Sequence, residues 1–160
     1  MSGPDYDAVL PAPFGALGVR LLGEALSGLD FLPPETPLRP SGSAVVHRVA
    51  HELEAYYADP GHVWKLVLAP AGTLFRQRVW QSLLAIPPGR TRTYGELAEE
   101  LASSPRAVGQ AVGDNPIPIV IPCHRVLAAH GLGGFMHGTA GFPMAVKQWL
   151  LHHEGADAGS

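Results

Sequence analysis

Apolar residues change their spacing twice along the chain. In the first third they come in short runs, DAVLPAP, ALGVRLLG and LSGLDFLP, each stopped by Gly or Pro. Runs of that length between turn residues predict the strands of a small antiparallel sheet. From Ser43 to Tyr57 the spacing lengthens, and Val46, Val49, Ala50, Leu53 and Tyr57 fall on one stripe, because residues three and four apart share a helix face. HVWKLVL predicts one further strand. The pattern turns mainly helical near Ala69–Gly72, which divides the chain into an α/β domain, 1–70, and a second domain, 71–160. There Thr73 can cap a helix whose stripe is Phe75, Val79, Leu83 and Ile86, ended by Pro87, Pro88 and Gly89.

TYGELAEELASSPRAVGQAVGDNP follows. Thr93 and Glu96 have capping-box spacing, predicting a helix from Tyr94 to Leu101. Ser104 can cap a second, with Pro105 at its first position and Gly113 just past its end. Two short helices about a tight turn read either as a helix-turn-helix or as an αα-hairpin in a helical core. Composition favours the first. Arg106 followed by AVGQAVG supplies a leading cation and a run of small residues, which fill a core poorly but let a backbone approach another surface closely.

Composition narrows the class. Gly (19) and Pro (16) are numerous, yet they punctuate apolar segments, so they predict loops rather than disorder. The start, MSGPDYD, is acidic and polar, and no apolar stretch is long enough to cross a bilayer. A single cysteine can form no internal disulfide, which fits a reducing compartment and predicts a cytoplasmic protein. The net charge of −3 does not itself point to nucleic acid. Its distribution adds a little: Lys and Arg number four against eight Asp and Glu in 1–70, but seven against six in 71–160. Any basic surface therefore belongs to the second half.

The lone cysteine closes a proline-fenced apolar run, NPIPIVIPCHRV. Such a residue is ordinarily a small inert hydrophobe, so its neighbours must decide. A free thiol ionises near pH 8.5 and is about a few per cent thiolate at neutral pH, so a nucleophilic Cys123 needs a base or a positive environment. His124 is the candidate base. Adjacent side chains do not face each other on a helix or strand, so a bridging water or a sharp turn at Pro122 has to join them.

PCHRV, with NPIPIVI before it and KQWLLHHEG after a glycine-rich loop, resembles the O6-alkylguanine-DNA alkyltransferases, the methylated-DNA–protein-cysteine methyltransferases. GTLFRQRVWQSL, IPPGRTRTYGELA and RAVGQAVGDNP match that family's carboxy-terminal domain in the same order, so the likeness covers about Gly72 to Gly155. The amino-terminal half matches only through APFGALGV and the YY before Asp59. The resemblance implies an α+β fold: a small RNase H-like antiparallel sheet with a helix, then a mainly helical domain with a winged-helix-like helix-turn-helix. It implies direct-reversal DNA repair, in which the alkyl group of O6-alkylguanine, or of O4-alkylthymine, passes irreversibly and once per molecule to Cys123. The base is flipped out of the duplex through the minor groove. The implied partner is double-stranded DNA carrying that lesion, met by a monomer without cofactor, metal or membrane.

Residue by residue, the resemblance implies a relay of Cys123, water, His124 and Glu154. Tyr94 would donate a proton to the flipped base, and Arg106, seventeen residues before the cysteine, would fill the space that the base leaves in the stack. Ala107, Gly109 and Ala111 would allow the second helix its close approach. Asn115 would brace the turn ahead of the cysteine, with Pro122 and Arg125 supporting the site, and the carbonyls of Cys123 and Val126 would accept from the guanine amine. Phe135 stands where a tyrosine is frequent, and Met136 where a backbone N–H meets the lesion oxygen. Two departures stand out: the turn ASSP is about two residues shorter than in many relatives, and the loop from Phe135 to Lys147 is longer, which leaves the accepted alkyl size open.

His47 and His51 have the i, i+4 spacing of a zinc pair but no third ligand at credible spacing, so they predict a solvated helix face, as do His152 and His153. Three functions remain distinguishable. A repair transferase takes one alkyl group onto Cys123. A lesion-binding protein without activity typically lacks the cysteine. A cysteine hydrolase using Cys, His and Glu turns over repeatedly.

Overall fold

Three strands come first, β1 (Ala8–Ala12), β2 (Gly15–Leu22) and β3 (Ala25–Leu32), in a meander of order β1-β2-β3. Leu10 faces Leu17 and Val19 faces Leu29 across the antiparallel ladders, and a bulge interrupts the second at Arg20/Leu21. In this computed structural model residues 5–138 and 141–156 are described, so the first residues of MSGPDYD, and Thr139 and Ala140 of the long loop, lie outside the described residues. Helix α1 (Ala44–Ala58) starts at Ser43, whose hydroxyl accepts from the Val45 and Val46 amides. It buries Val46, Val49, Leu53 and Tyr56.

Two expectations need correction here. Tyr56 rather than Tyr57 completes the buried stripe, since it follows Leu53 by three residues and is 0% exposed. HVWKLVL is not a regular strand. It makes one parallel bridge, Leu68 to Leu26, through Leu26 N–H to Val67 O and Ala69 N–H to Leu26 O, both 2.8 Å. The reason is that other groups claim it: the Glu52 carboxylate accepts from Lys65 N at 2.8 Å, and Trp64 stacks on Tyr56.

The chain divides after Ala71 into two compact units. In the second, α2 (Leu74–Leu84) is capped by Thr73, and Val79, Trp80 and Leu83 form its buried side. Phe75 is only half-buried; Trp80 takes the deeper place and donates from Nε1 to Ala111 O at 2.8 Å. Strand β4 (Arg92–Thr93) leads into α3 (Tyr94–Glu100), where Thr93 and Glu96 close both bonds of the capping box. Helix α4 (Pro105–Gly113) starts at Ser104, whose hydroxyl accepts from Ala107 N. Gly113 is the last residue of α4 rather than the one after it, and Asp114 is the cap. A side chain at Gly113 would collide with the His137 ring, 2.5 Å from the ideal Cβ position. Strand β5 (Val126–Leu127) pairs in parallel with β4, and α5 (Phe142–His153) closes the unit.

Candidate active site

The segment between α4 and β5 is largely buried and contains no strand or α-helix, so its backbone polar groups need partners other than a regular ladder. Asn115, 1% exposed, supplies two: Oδ1 accepts from Ile117 N at 3.0 Å, and Nδ2 donates to Ile121 O at 2.8 Å. Ile119 has φ 74°, a left-handed conformation that is a marked outlier for a β-branched residue. It is held there fully buried. At Pro122, φ −81° and ψ 67° make an inverse γ-turn closed by Cys123 N–H to Ile121 O at 2.8 Å. A 3-10 turn over Cys123–Arg125 follows at once.

His124 and Arg125 converge on Glu154, the C-cap of α5. His124 Nε2 lies 2.8 Å from Glu154 Oε2, Arg125 Nε 2.8 Å from Oε1 and Arg125 Nη2 2.9 Å from Oε2. Arg125 Nη1 also donates to Ile86 O beyond the end of α2. All three side chains are buried. Burial holds His124 below its ordinary pKa, against the pull of Glu154, which favours the charged form. In the neutral ring the carboxylate can only accept, so Nε2 carries the hydrogen and Nδ1 keeps its lone pair. That Nδ1 is buried and has no hydrogen-bond partner among the described residues. His124 thereby presents an unpartnered ring nitrogen with a carboxylate fixing the other side of the ring.

Cys123 is 2% exposed, and burial pushes its thiol up to about 11, against opposing pulls from the Asn115 side chain and the Lys147 charge. Lys147, from α5, was not singled out by sequence reasoning. It is 0% exposed, and Nζ donates to the carbonyls of Val126, Leu132 and Gly134 at 2.8, 2.7 and 2.8 Å. Burial lowers its pKa to about 8. One clue existed, a lysine within the apolar run FPMAVKQWLL, though a lysine in such a helix is usually solvated.

Cys123 forms part of the wall of a pocket of about 150 Å³, shared with Tyr94, Gly109, Val112, Gly113 and the segment from Gly134 to Gly138. Cavities of roughly that volume accept a benzene-sized ring. The Tyr94 hydroxyl is 3.4 Å from Gly134 O, and burial, then the Cys123 charge, pushes its pKa to about 12. It stays protonated and can donate. A Cβ at Gly109 would meet nothing nearer than Tyr94 Cδ1 at 3.9 Å, so internal packing leaves room there. Ala107 is half-buried and Arg106, the second residue of α4, is exposed; neither lines the pocket. The Val126 carbonyl accepts from Lys147 Nζ at 2.8 Å.

Phe135 is buried, and Phe135 and Gly138 exchange backbone hydrogen bonds at 2.8 Å each way. Between them Met136 (φ 51°) and His137 (φ 64°) are both left-handed. This is the shape of a type I′ turn, favoured by Asn-Gly and costing other residues about 1–2 kcal/mol each. Met136 Sδ is 3.8 Å from Cys123 Sγ. His47 and His51 are exposed on α1, and among the described residues no group of three His, Cys, Asp or Glu could hold a metal ion. No described helix is long and apolar enough to cross a membrane.

A family model described as 6-O-methylguanine DNA methyltransferase, DNA binding domain, matches residues 74–156. The methylated-DNA–protein-cysteine methyltransferase of Methanosarcina acetivorans is 36% identical over 159 residues, covering 94% of this chain and 99% of that one. The crystal structure of Mycobacterium tuberculosis O6-methylguanine methyltransferase is similar with a TM-score of 0.76 at 34% identity, over 92% of this chain and 90% of that one. A crystal structure of Mycobacterium tuberculosis OGT in complex with DNA gives 0.74 at 36%, over 92% and 91%.

Proposed function

The chain belongs to the methylated-DNA–protein-cysteine methyltransferase family, and from that premise we propose that it reverses alkylation of DNA by moving the alkyl group of O6-alkylguanine, or O4-alkylthymine, onto Cys123. The observation that carries this reading is the pairing of a buried pocket thiol with a neutral His124 whose Nδ1 is free and whose Nε2 is held by Glu154.

The chemistry follows from those groups. A thiol near 11 cannot ionise unaided at neutral pH. A water passes its proton to His124 Nδ1, and Glu154 balances the charge that the ring gains. The Lys147 ammonium favours the thiolate that remains. Sulfur then attacks the alkyl carbon; the C–S bond forms as the C–O bond breaks. The electron pair of the broken bond leaves with the guanine, which Tyr94 protonates, and the proton held by His124 restores Tyr94 through water. The net result moves the thiol proton to the base and the alkyl group to sulfur. A thioether has no easy hydrolytic exit, so each molecule acts once.

An O6-alkyl group inside a duplex is out of reach of a buried sulfur, so the base has to be flipped out, at a cost of about a few kcal/mol. In this reading α3 and α4 work as a winged-helix-like helix-turn-helix on the minor groove. Arg106 fills the vacated place in the stack, and Ala107 and Gly109 admit the backbone closely. Asn115 and Pro122 hold the sulfur in position. The protein works as a cytoplasmic monomer on double-stranded DNA, and its amino-terminal unit is RNase H-like. Intact mass and peptide mapping after incubation with an O6-methylguanine oligonucleotide test the proposal: one methyl group on Cys123 per molecule is expected. Turnover beyond one equivalent overturns it in favour of a hydrolase.

A further inference from the structure

The turn over Cys123 sits on a backbone that its own residues do not favour. Met136 and His137 occupy the two left-handed positions usually taken by Asn and Gly, so contacts outside the turn must hold it. His137 provides them. Its ring packs over Gly113, where a Cβ would stand 2.5 Å away, and its Nε2 is 2.8 Å from Asp114 Oδ1. The other oxygen of Asp114 accepts from Arg76 Nε at 3.0 Å and Nη2 at 2.9 Å. Through one carboxylate the turn is therefore tied to the end of α4 and to α2. At its other central position, the Met136 thioether lies 3.8 Å from the Cys123 sulfur and shares its wall of the pocket.

We propose that His137 is a specificity-determining residue: by tying the turn to Asp114 it holds Met136 against Cys123 and so limits the size of the group that can reach the sulfur. An alkyl group arriving at Sγ has to share space with the Met136 side chain, and the freedom of that side chain to withdraw depends on how firmly the next residue is anchored. A methyl group needs little withdrawal and a benzyl group much. The hydrogen bond from His137 is also the largest influence holding the Asp114 carboxyl below its ordinary range, with the Arg76 charge adding to it, which marks the contact as charge-assisted. His137 also borders the pocket, but its bond to Asp114 acts on the sulfur through Met136, so in this role it is a positioning residue.

The inference rests on the repair reading for its substrate, and its test does not. Cys123 is the only cysteine in the chain, so its reaction with iodoacetamide and with a bulky aryl maleimide at alkaline pH reports access without DNA. In His137→Ala the maleimide rate, divided by the iodoacetamide rate, should rise about tenfold, the equivalent of one charged hydrogen bond. His137→Gln, whose amide reaches as far as Nε2, should restore the wild-type ratio. His137→Gly, which suits the left-handed backbone, takes the place of the alanine variant if that one does not fold. In parallel, the rate with O6-benzylguanine should rise relative to that with an O6-methylguanine oligonucleotide. A labelling ratio within twofold of wild type, or a glutamine variant that behaves like alanine, overturns the inference. Absence of methyl transfer by the wild type overturns the repair reading and leaves the labelling result standing.

Discussion

Replacing Glu154 by glutamine keeps the shape of the buried cluster and removes its charge. In the native site one carboxylate accepts from His124 Nε2, Arg125 Nε and Arg125 Nη2, all within 2.9 Å. The glutamine oxygen can serve one edge of that arrangement, but its amide nitrogen then faces an N–H donor on the other. The Arg125 guanidinium, 7% exposed, is left without a counter-charge. Breaking a buried pair from one side costs about 3–5 kcal/mol. At roughly 2–4 °C per kcal/mol for a chain of this length, melting should fall by about 6–20 °C. Chemistry should suffer separately, because an amide can turn its NH₂ toward Nε2 and force the hydrogen onto Nδ1, the position that has to accept. Losing a general base typically costs about 10²–10⁴ in rate. Differential scanning calorimetry and single-turnover transfer to an O6-methylguanine oligonucleotide read the two effects, and binding of the same duplex should stay close to wild type. A variant that melts within 2 °C of wild type and transfers within tenfold of its rate would show that the cluster neither holds the unit together nor orients the base.

Arg106→Ala should slow repair in duplex DNA far more than reaction with free O6-benzylguanine, because only the duplex needs its gap filled; equal losses in a kinetic comparison would assign Arg106 to the fold. Lys147→Met removes an ammonium that burial disfavours but strands three carbonyls, at about 1–3 kcal/mol each, so urea denaturation should show a net loss of roughly 2 kcal/mol or more. A methionine variant as stable as wild type would mean that those carbonyls do not depend on the ammonium. The Cys123 thiol, raised to about 11 when folded against roughly 8.5–9 for a free thiol, gives a pH effect of definite sign. Between those values the unfolded chain has released a proton that the folded one retains, so the stability from this group is complete below pH 9 and is lost as the pH rises toward 11. Cys123→Ser lacks this loss, so thermal melts should show the serine variant gaining on wild type across that interval, by about 2–3 kcal/mol at its upper end. Parallel curves would place the thiol in a more polar setting.

Local rules made the two helices before the cysteine legible. Thr93 with Glu96, and Ser104 with Pro105, act over three or four residues, and the bonds they predict are present. The three strands of the first unit were legible for the same reason, their turns being written in Gly and Pro. What escaped was decided at longer range. Tyr56 and Tyr57 differ by one place in the helical spacing, and only the packing partner chooses between them. HVWKLVL has the composition of a strand, but the Glu52 side chain takes its Lys65 amide. Lys147 reads as solvated until carbonyls from residues 126, 132 and 134 close over it. The left-handed pair Met136 and His137 contradicts the usual preference for Asn-Gly, and its support lies at Asp114, outside the turn. Cys123, His124 and Glu154 could be named through the family resemblance, whereas the free Nδ1 and the depth of burial required coordinates.

Asn115 bears on how a sulfur can sit in a core and still border a pocket. A sulfur carried on an interior strand has a neighbour on each flank, and those neighbours shut out any visiting ring. Here two peptide groups ahead of the turn are answered by one carboxamide, which greets the Ile117 amide with its oxygen and the Ile121 carbonyl with its nitrogen. It is a partner strand reduced to a single side chain. Because so little protein does that work, one flank of Cys123 is left to the pocket as a berth, with packed chain behind the sulfur and space in front of it.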